Sequence, residues 1–144
     1  MEAETIFRDF YFMDNNRVIK FRAWDKERKQ MAQVLRINLS DLNGRTKQVE
    51  INNGCFTAYP NLEEVVLMQF TGLYAQHDLT KPIYEGDILK SNEHIDAVIW
   101  REDLCGFSFQ NDKSRMNLVD WLENAQYSST EIIGNIFENP DLLT

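Results

Sequence analysis

Apolar and polar positions alternate with a period of two over most of this 144-residue chain, so it predicts strands first and helices second. From Val18 to Trp24 the alternation sets Ile19, Phe21 and Ala23 on one side and Val18, Lys20, Arg22 and Trp24 on the other. That pattern is a strand whose apolar face is Ile19, Phe21 and Ala23. Asp25-Lys26-Glu27-Arg28-Lys29 is a polar turn and Met31 to Leu39 a second strand, so the pair is expected to form a hairpin. Ser40 to Gly44 supplies the next turn, with an Asn-Gly pair that takes positive φ at little cost. Lys47 to Ile51 is a short strand closed by Asn52-Asn53-Gly54, and Asn61 to Glu64 is a helical turn. Val65 to Thr71 is strongly β-prone and expected to be buried on both faces, with a long loop following from Gly72 to Pro82.

After Gly86-Asp87, short strands at Ile88 to Lys90, Ile95 to Arg101 and Phe107 to Gln110 are punctuated by turn residues, the pattern of a small antiparallel barrel. Trp100, Phe107 and Phe109 are expected in its core with Ile88, Val98 and Ile136. Leu118, Trp121, Leu122 and Ala125 fall at helical spacing behind Asn117, a good N-cap residue, so Leu118 to Ala125 is the helix of the chain. Ile132 to Phe137 is a last strand, and Asn139-Pro140 opens a terminal helical turn. The fold class is mainly β (α+β). It divides into an extension at 1–16, a β-rich hairpin region at 17–82, and a barrel with its helix and terminal strand at 83–144. Within the extension, Ile6, Phe7, Phe10 and Phe12 form an apolar arm that either adds a strand or docks on a neighbouring chain.

Composition narrows the class. With 43% hydrophobic residues the chain has enough apolar surface to fold, and no run approaches the ~18 apolar residues a membrane helix requires. The first residues carry Glu2 and Glu4 and lack the apolar core of a secretory signal, so a cytoplasmic protein is expected. Charge divides unevenly. Residues 1–60 hold ten Lys/Arg against eight Asp/Glu, whereas residues 61–144 hold five against fifteen, within a net charge of −8. Such a chain repels phosphate backbones at long range, while its unlike halves favour contact between copies or an asymmetric partner.

The candidate chemistry is sparse. Cys55 and Cys105, with only His77 and His94 to assist, match no metal-ligand spacing, so neither a metal nor a cofactor is expected; two buried or half-buried thiols are the plain expectation. Phosphate-loop, dinucleotide and metalloprotease patterns are lacking. Glu85-Gly86-Asp87 is the tempting carboxylate pair, since two carboxylates two residues apart on a strand would share a face. Gly86 interrupts the strand that would align them, so a turn is expected, with Gly86 at positive φ and Asp87 accepting backbone N–H groups. His77-Asp78 has no partner in a nucleophile motif and is expected to be a loop histidine. Arg22, Trp24, Lys26, Arg28 and Lys29 form the best contact surface for nucleic acid or a protein partner, with basic groups for phosphate and an indole for stacking. A solvated hairpin whose Trp24 closes the core edge accounts for the same residues.

Four blocks resemble one family: Ile19-Lys20-Phe21-Arg22-Ala23-Trp24-Asp25, Met68-Gln69-Phe70-Thr71-Gly72-Leu73, Ile83-Tyr84-Glu85-Gly86-Asp87-Ile88, and Ile132 to Leu142. In order and spacing they resemble the YopX proteins, small proteins of phages and prophages, over residues 18 to 144. The resemblance implies a mainly β protein of a phage or prophage with an SH3-like barrel in its second half, for which self-association is in keeping; it implies no reaction. A non-enzymatic interaction protein is therefore expected, a self-associating β scaffold that binds a phage or host protein. The alternative is a nucleic-acid-binding module built on the Arg22–Lys29 hairpin, with no membrane role in either.

Overall fold

Asp25 shapes the first hairpin. Its Oδ1 accepts the backbone N–H groups of Glu27 and Arg28, each at 3.0 Å, and Lys29 closes the turn at φ 52°. The computed structural model describes residues 17–39, 48–75, 80–92, 94–123 and 130–144. The arm Ile6, Phe7, Phe10 and Phe12, the Ser40–Gly44 turn, Ala125 and the His77-Asp78 pair lie outside the described residues.

The hairpin joins β1 (Phe21–Asp25) to β2 (Gln30–Asn38), followed by β3 (Gln48–Asn52), β4 (Thr57–Ala58), β5 (Val65–Tyr74) and β6 (Pro82–Tyr84). These form one antiparallel sheet in the order β4-β3-β2-β1-β5-β6, with the first strand at its centre. One face of the sheet is apolar: Ala23, Ala32, Val49, Ile51 and Val65 are buried together, with Val34, Ile37 and Leu67 packed against them. The period-two reading thus holds through most of this half. The strand begins at Phe21, however, which leaves Ile19 67% exposed outside the ladder rather than on the core face. The expected helical turn is a 3-10 turn at Leu62–Glu64, where the Glu64 carboxylate accepts the Asn61 backbone N–H at 2.7 Å.

The long loop expected from Gly72 to Pro82 is shorter than that. β5 continues to Tyr74 and β6 begins at Pro82, tied by the Ala75 N–H to the Lys81 carbonyl at 2.9 Å. Gly72 sits at φ +87° inside a register shift between Phe70 and Tyr74, so the glycine irregularity bends the strand without ending it.

The second sheet comprises β7 (Asp87–Ser91), β8 (His94–Arg101), β9 (Gly106–Phe109) and β10 (Glu131–Asn135) in the order β10-β7-β8-β9, with helix α1 (Leu118–Glu123) on one face. The last strand returns beside the first of this group. Among the described residues β9 and β10 are the two edges of this ladder. Leu89, Val98, Phe109, Leu118 and Trp121 form its core, together with Ile83 from the first sheet. Trp100 departs from expectation: it is 46% exposed, in edge contact with Phe107 at 5.2 Å. Cys55 and Cys105 also depart from expectation, both being exposed on turns rather than buried.

Candidate functional site at the seam between the sheets

The hydrophobic alternation of β1 leaves Arg22 and Trp24 on the face opposite Ala23, which for an isolated hairpin would be the wet face. Here the second sheet covers it. Trp24 stacks on Phe137 with ring centroids 5.3 Å apart and planes 12° from parallel. Arg22 Nη2 lies 2.7 Å from Asp87 Oδ1 and donates to the Glu85 carbonyl at 3.2 Å. Strand pairing on both sides makes β1 central, and docking of the second sheet then buries its remaining face.

Glu85-Gly86-Asp87 is the other side of this seam. Gly86 has φ +83°, and a Cβ there would lie 3.0 Å from Met68 Sδ and 3.6 Å from Ile136 Cδ1. Its N–H donates to the Val98 carbonyl at 2.8 Å, and its carbonyl accepts from Ile136 at 2.9 Å. Only a residue without a side chain satisfies that conformation and that approach at once. Asp87 is 2% exposed; its Oδ2 accepts the Tyr84 N–H at 2.8 Å. The expected turn roles of Gly86 and Asp87 are therefore present, and Asp87 has in addition a long-range cationic partner. Burial pushes the Asp87 carboxyl above the usual range, with the Arg22 charge and the Tyr84 and Arg22 hydrogen bonds acting against it.

The five hairpin residues are dispersed by the fold. Arg22 and Trp24 face the seam, while Lys26, Arg28 and Lys29 are exposed at the turn. Lys26 Nζ donates to the Glu63 carbonyl at 2.7 Å. Arg28 Nη1 meets Asp25 Oδ2 at 3.0 Å, and its guanidinium lies 5.2 Å from the Phe56 ring. The indole and three of the four cations, Arg22, Lys26 and Arg28, are thus already in contact with protein.

Beside the seam an open groove of about 410 Å³ runs between β2, the Asn52–Gly54 turn and β6, lined by Arg22, Met31, Gln33, Asn52, Asn53 and Tyr84 among others. Sequence reasoning missed it because its walls come from strands far apart in the chain. The signal present was the alternation itself, which places Met31 and Gln33 with Arg22 and Trp24 rather than in the core. Among the described residues no group of His, Cys, Asp and Glu is arranged to hold a metal ion, and no helix is long and apolar enough to cross a membrane.

Against curated proteins the chain has no match. Among solved structures it is similar to the crystal structure of protein EF1440 from Enterococcus faecalis, with 24% identity and a TM-score of 0.57 over 88% of this chain and 99% of that one. That likeness concerns the fold alone. The profile of the family described as YopX protein matches residues 20–144 and so takes in both sheets and the seam between them. The chain belongs to the YopX family.

Proposed function

We propose that the protein is a non-enzymatic interaction protein that associates with copies of itself and presents β surfaces to a phage or host protein. The observation that carries this reading is Trp100, 46% exposed on a sheet whose other large aromatics pack inward. Trp is the residue most enriched at the energetic centres of protein interfaces, and here it extends a buried core face into solvent. The buried carboxylates support the non-enzymatic part. Asp25 caps the hairpin turn and Asp87 pairs with Arg22. Asp96 accepts the Asn111 backbone N–H at 2.9 Å and its side-chain amide at 3.0 Å. Each has a structural partner that an acid or base would need to release. The nucleic-acid alternative loses two of its five contact residues to the seam.

Light scattering on the full chain tests the proposal at low and high salt, with Trp100→Lys beside the parent. The expected result is a discrete oligomer at both salts that shifts towards monomer in the variant. A parent chain that is monomeric at both salts overturns self-association, and an oligomer indifferent to Trp100→Lys removes this face from it.

A further inference from the structure

Arg22 is under-bonded for a guanidinium held in a seam. Among the described residues only Nη2 is engaged, by Asp87 and the Glu85 carbonyl, while Nε is buried with no hydrogen-bond partner there. A guanidinium offers five N–H donors, and this side chain keeps 17% of its surface exposed where it lines the groove. The strand registers set Arg22 opposite Gln33, and Gln33 opposite Asn52, so three polar side chains form a row across β1, β2 and β3. Asn52 is fixed in that row. Its Oδ1 accepts the Gly54 N–H at 2.7 Å and its Nδ2 donates to Thr57 Oγ1 at 3.1 Å. Gln33 is exposed on the groove floor.

Charge gathers at the same wall. The Arg22 guanidinium lies 5.0 Å from the Tyr84 ring and Lys20 Nζ 5.8 Å from it, with Lys20 also 4.3 Å above Phe70. Against these two cations the seam sets one carboxylate in contact, Asp87. The groove therefore borders a locally positive spot on a chain of net charge −8. Its volume of about 410 Å³ suits a small ligand or a few residues of peptide.

We infer that this groove binds an acidic peptide segment, taking one carboxylate against the open edge of Arg22 and Lys20 while the Gln33 and Asn53 amides meet its backbone. A single carboxylate matches one open guanidinium edge and one ammonium flanked by neutral amides; a phosphate dianion calls for a denser set of donors. The site is separate from the Trp100 face.

The test is titration of the isotope-labelled full chain with an oligoglutamate peptide, followed by NMR, with oligoglutamine as the neutral match and inorganic phosphate as competitor. The expected result is that oligoglutamate shifts the Gln33 and Asn53 side-chain amide signals. Gln33→Glu, which places a like charge on the groove floor and leaves the Arg22–Asp87 pair intact, should weaken binding about tenfold or more. Lys20→Met should weaken it in the same direction. Unmoved Gln33 and Asn53 signals overturn the inference. So do equal shifts with oligoglutamine, displacement by phosphate at equal concentration, or full binding by Gln33→Glu with its circular dichroism unchanged. The oligomer mass is independent of these outcomes, so failure here is distinct from failure of self-association.

Discussion

Asp25 and Asp87 are both buried aspartates that accept backbone N–H groups, yet their titrations run in opposite directions. For Asp25 burial pushes the carboxyl up, but the Arg28 backbone N–H, the Arg28 guanidinium and its charge, and the Glu27 N–H outweigh it, and the value falls below the ordinary one. Its contribution to stability is present above the ordinary aspartate pKa of about 3.9 and is lost as pH falls through the lowered folded value. For Asp87 the folded value is raised, so its contribution is full below the ordinary value and declines as pH rises through the raised one. Urea unfolding between about pH 3 and pH 7 should separate the two. The deficit of Asp25→Asn should be largest at neutral pH and shrink in acid. Asp87→Asn, which keeps an acceptor for Tyr84, should lack the parent's decline between acid and neutral pH. Parallel curves for both variants would contradict the assignment. The same residue scale decides what the ion pair is worth. Arg22→Met alone leaves a buried carboxylate without its cation and should cost about 3–5 kcal/mol at neutral pH. The double variant Arg22→Met/Asp87→Asn should recover part of that loss, as equilibrium unfolding of the two singles and the double would reveal.

At the scale of elements, most strands were legible because a half-buried strand writes itself as alternation. β2, β3, β7, β8 and β9 lie within one or two residues of their expected bounds. The Leu62–Glu64 and Pro140–Leu143 turns were legible from Asn61 and Asn139-Pro140. What alternation does not encode is which element covers a face. Arg22 and Trp24 have the composition of a wet face, and only the distant Asp87 and Phe137 make it an interior one. Trp100 has the composition of core, yet it stands 46% exposed. The binding groove was illegible for the same reason, whereas the Gly86 turn was visible because its cause is local. Gly86→Ala tests that local cause. A Cβ would meet Met68 Sδ in a backbone conformation unfavourable to alanine, so a loss of about 1–3 kcal/mol is expected by thermal or urea unfolding. A loss near zero would mean that the turn relaxes freely.

At the scale of the whole molecule the two sheets are locked by ties of different character. There is an ion pair at Arg22–Asp87, an aromatic stack at Trp24–Phe137, and an apolar strut where Ile83 enters the second core. The ion pair and the stack both join residues far apart in sequence, and both use the central strand of the first sheet. That placement has a consequence for the order of events during synthesis. β1 leaves the ribosome before its neighbour β5, which ends at Tyr74, and long before Phe137, which follows the last strand of the second sheet. The hairpin of β1 and β2 can close early, because its turn is self-contained. Its Trp24 face then stays uncovered until Phe137, 113 residues further along the chain, has been made. The nascent chain thus carries an unprotected indole while every strand from β2 to β10 is made, a vulnerability that ends only once Phe137 follows them.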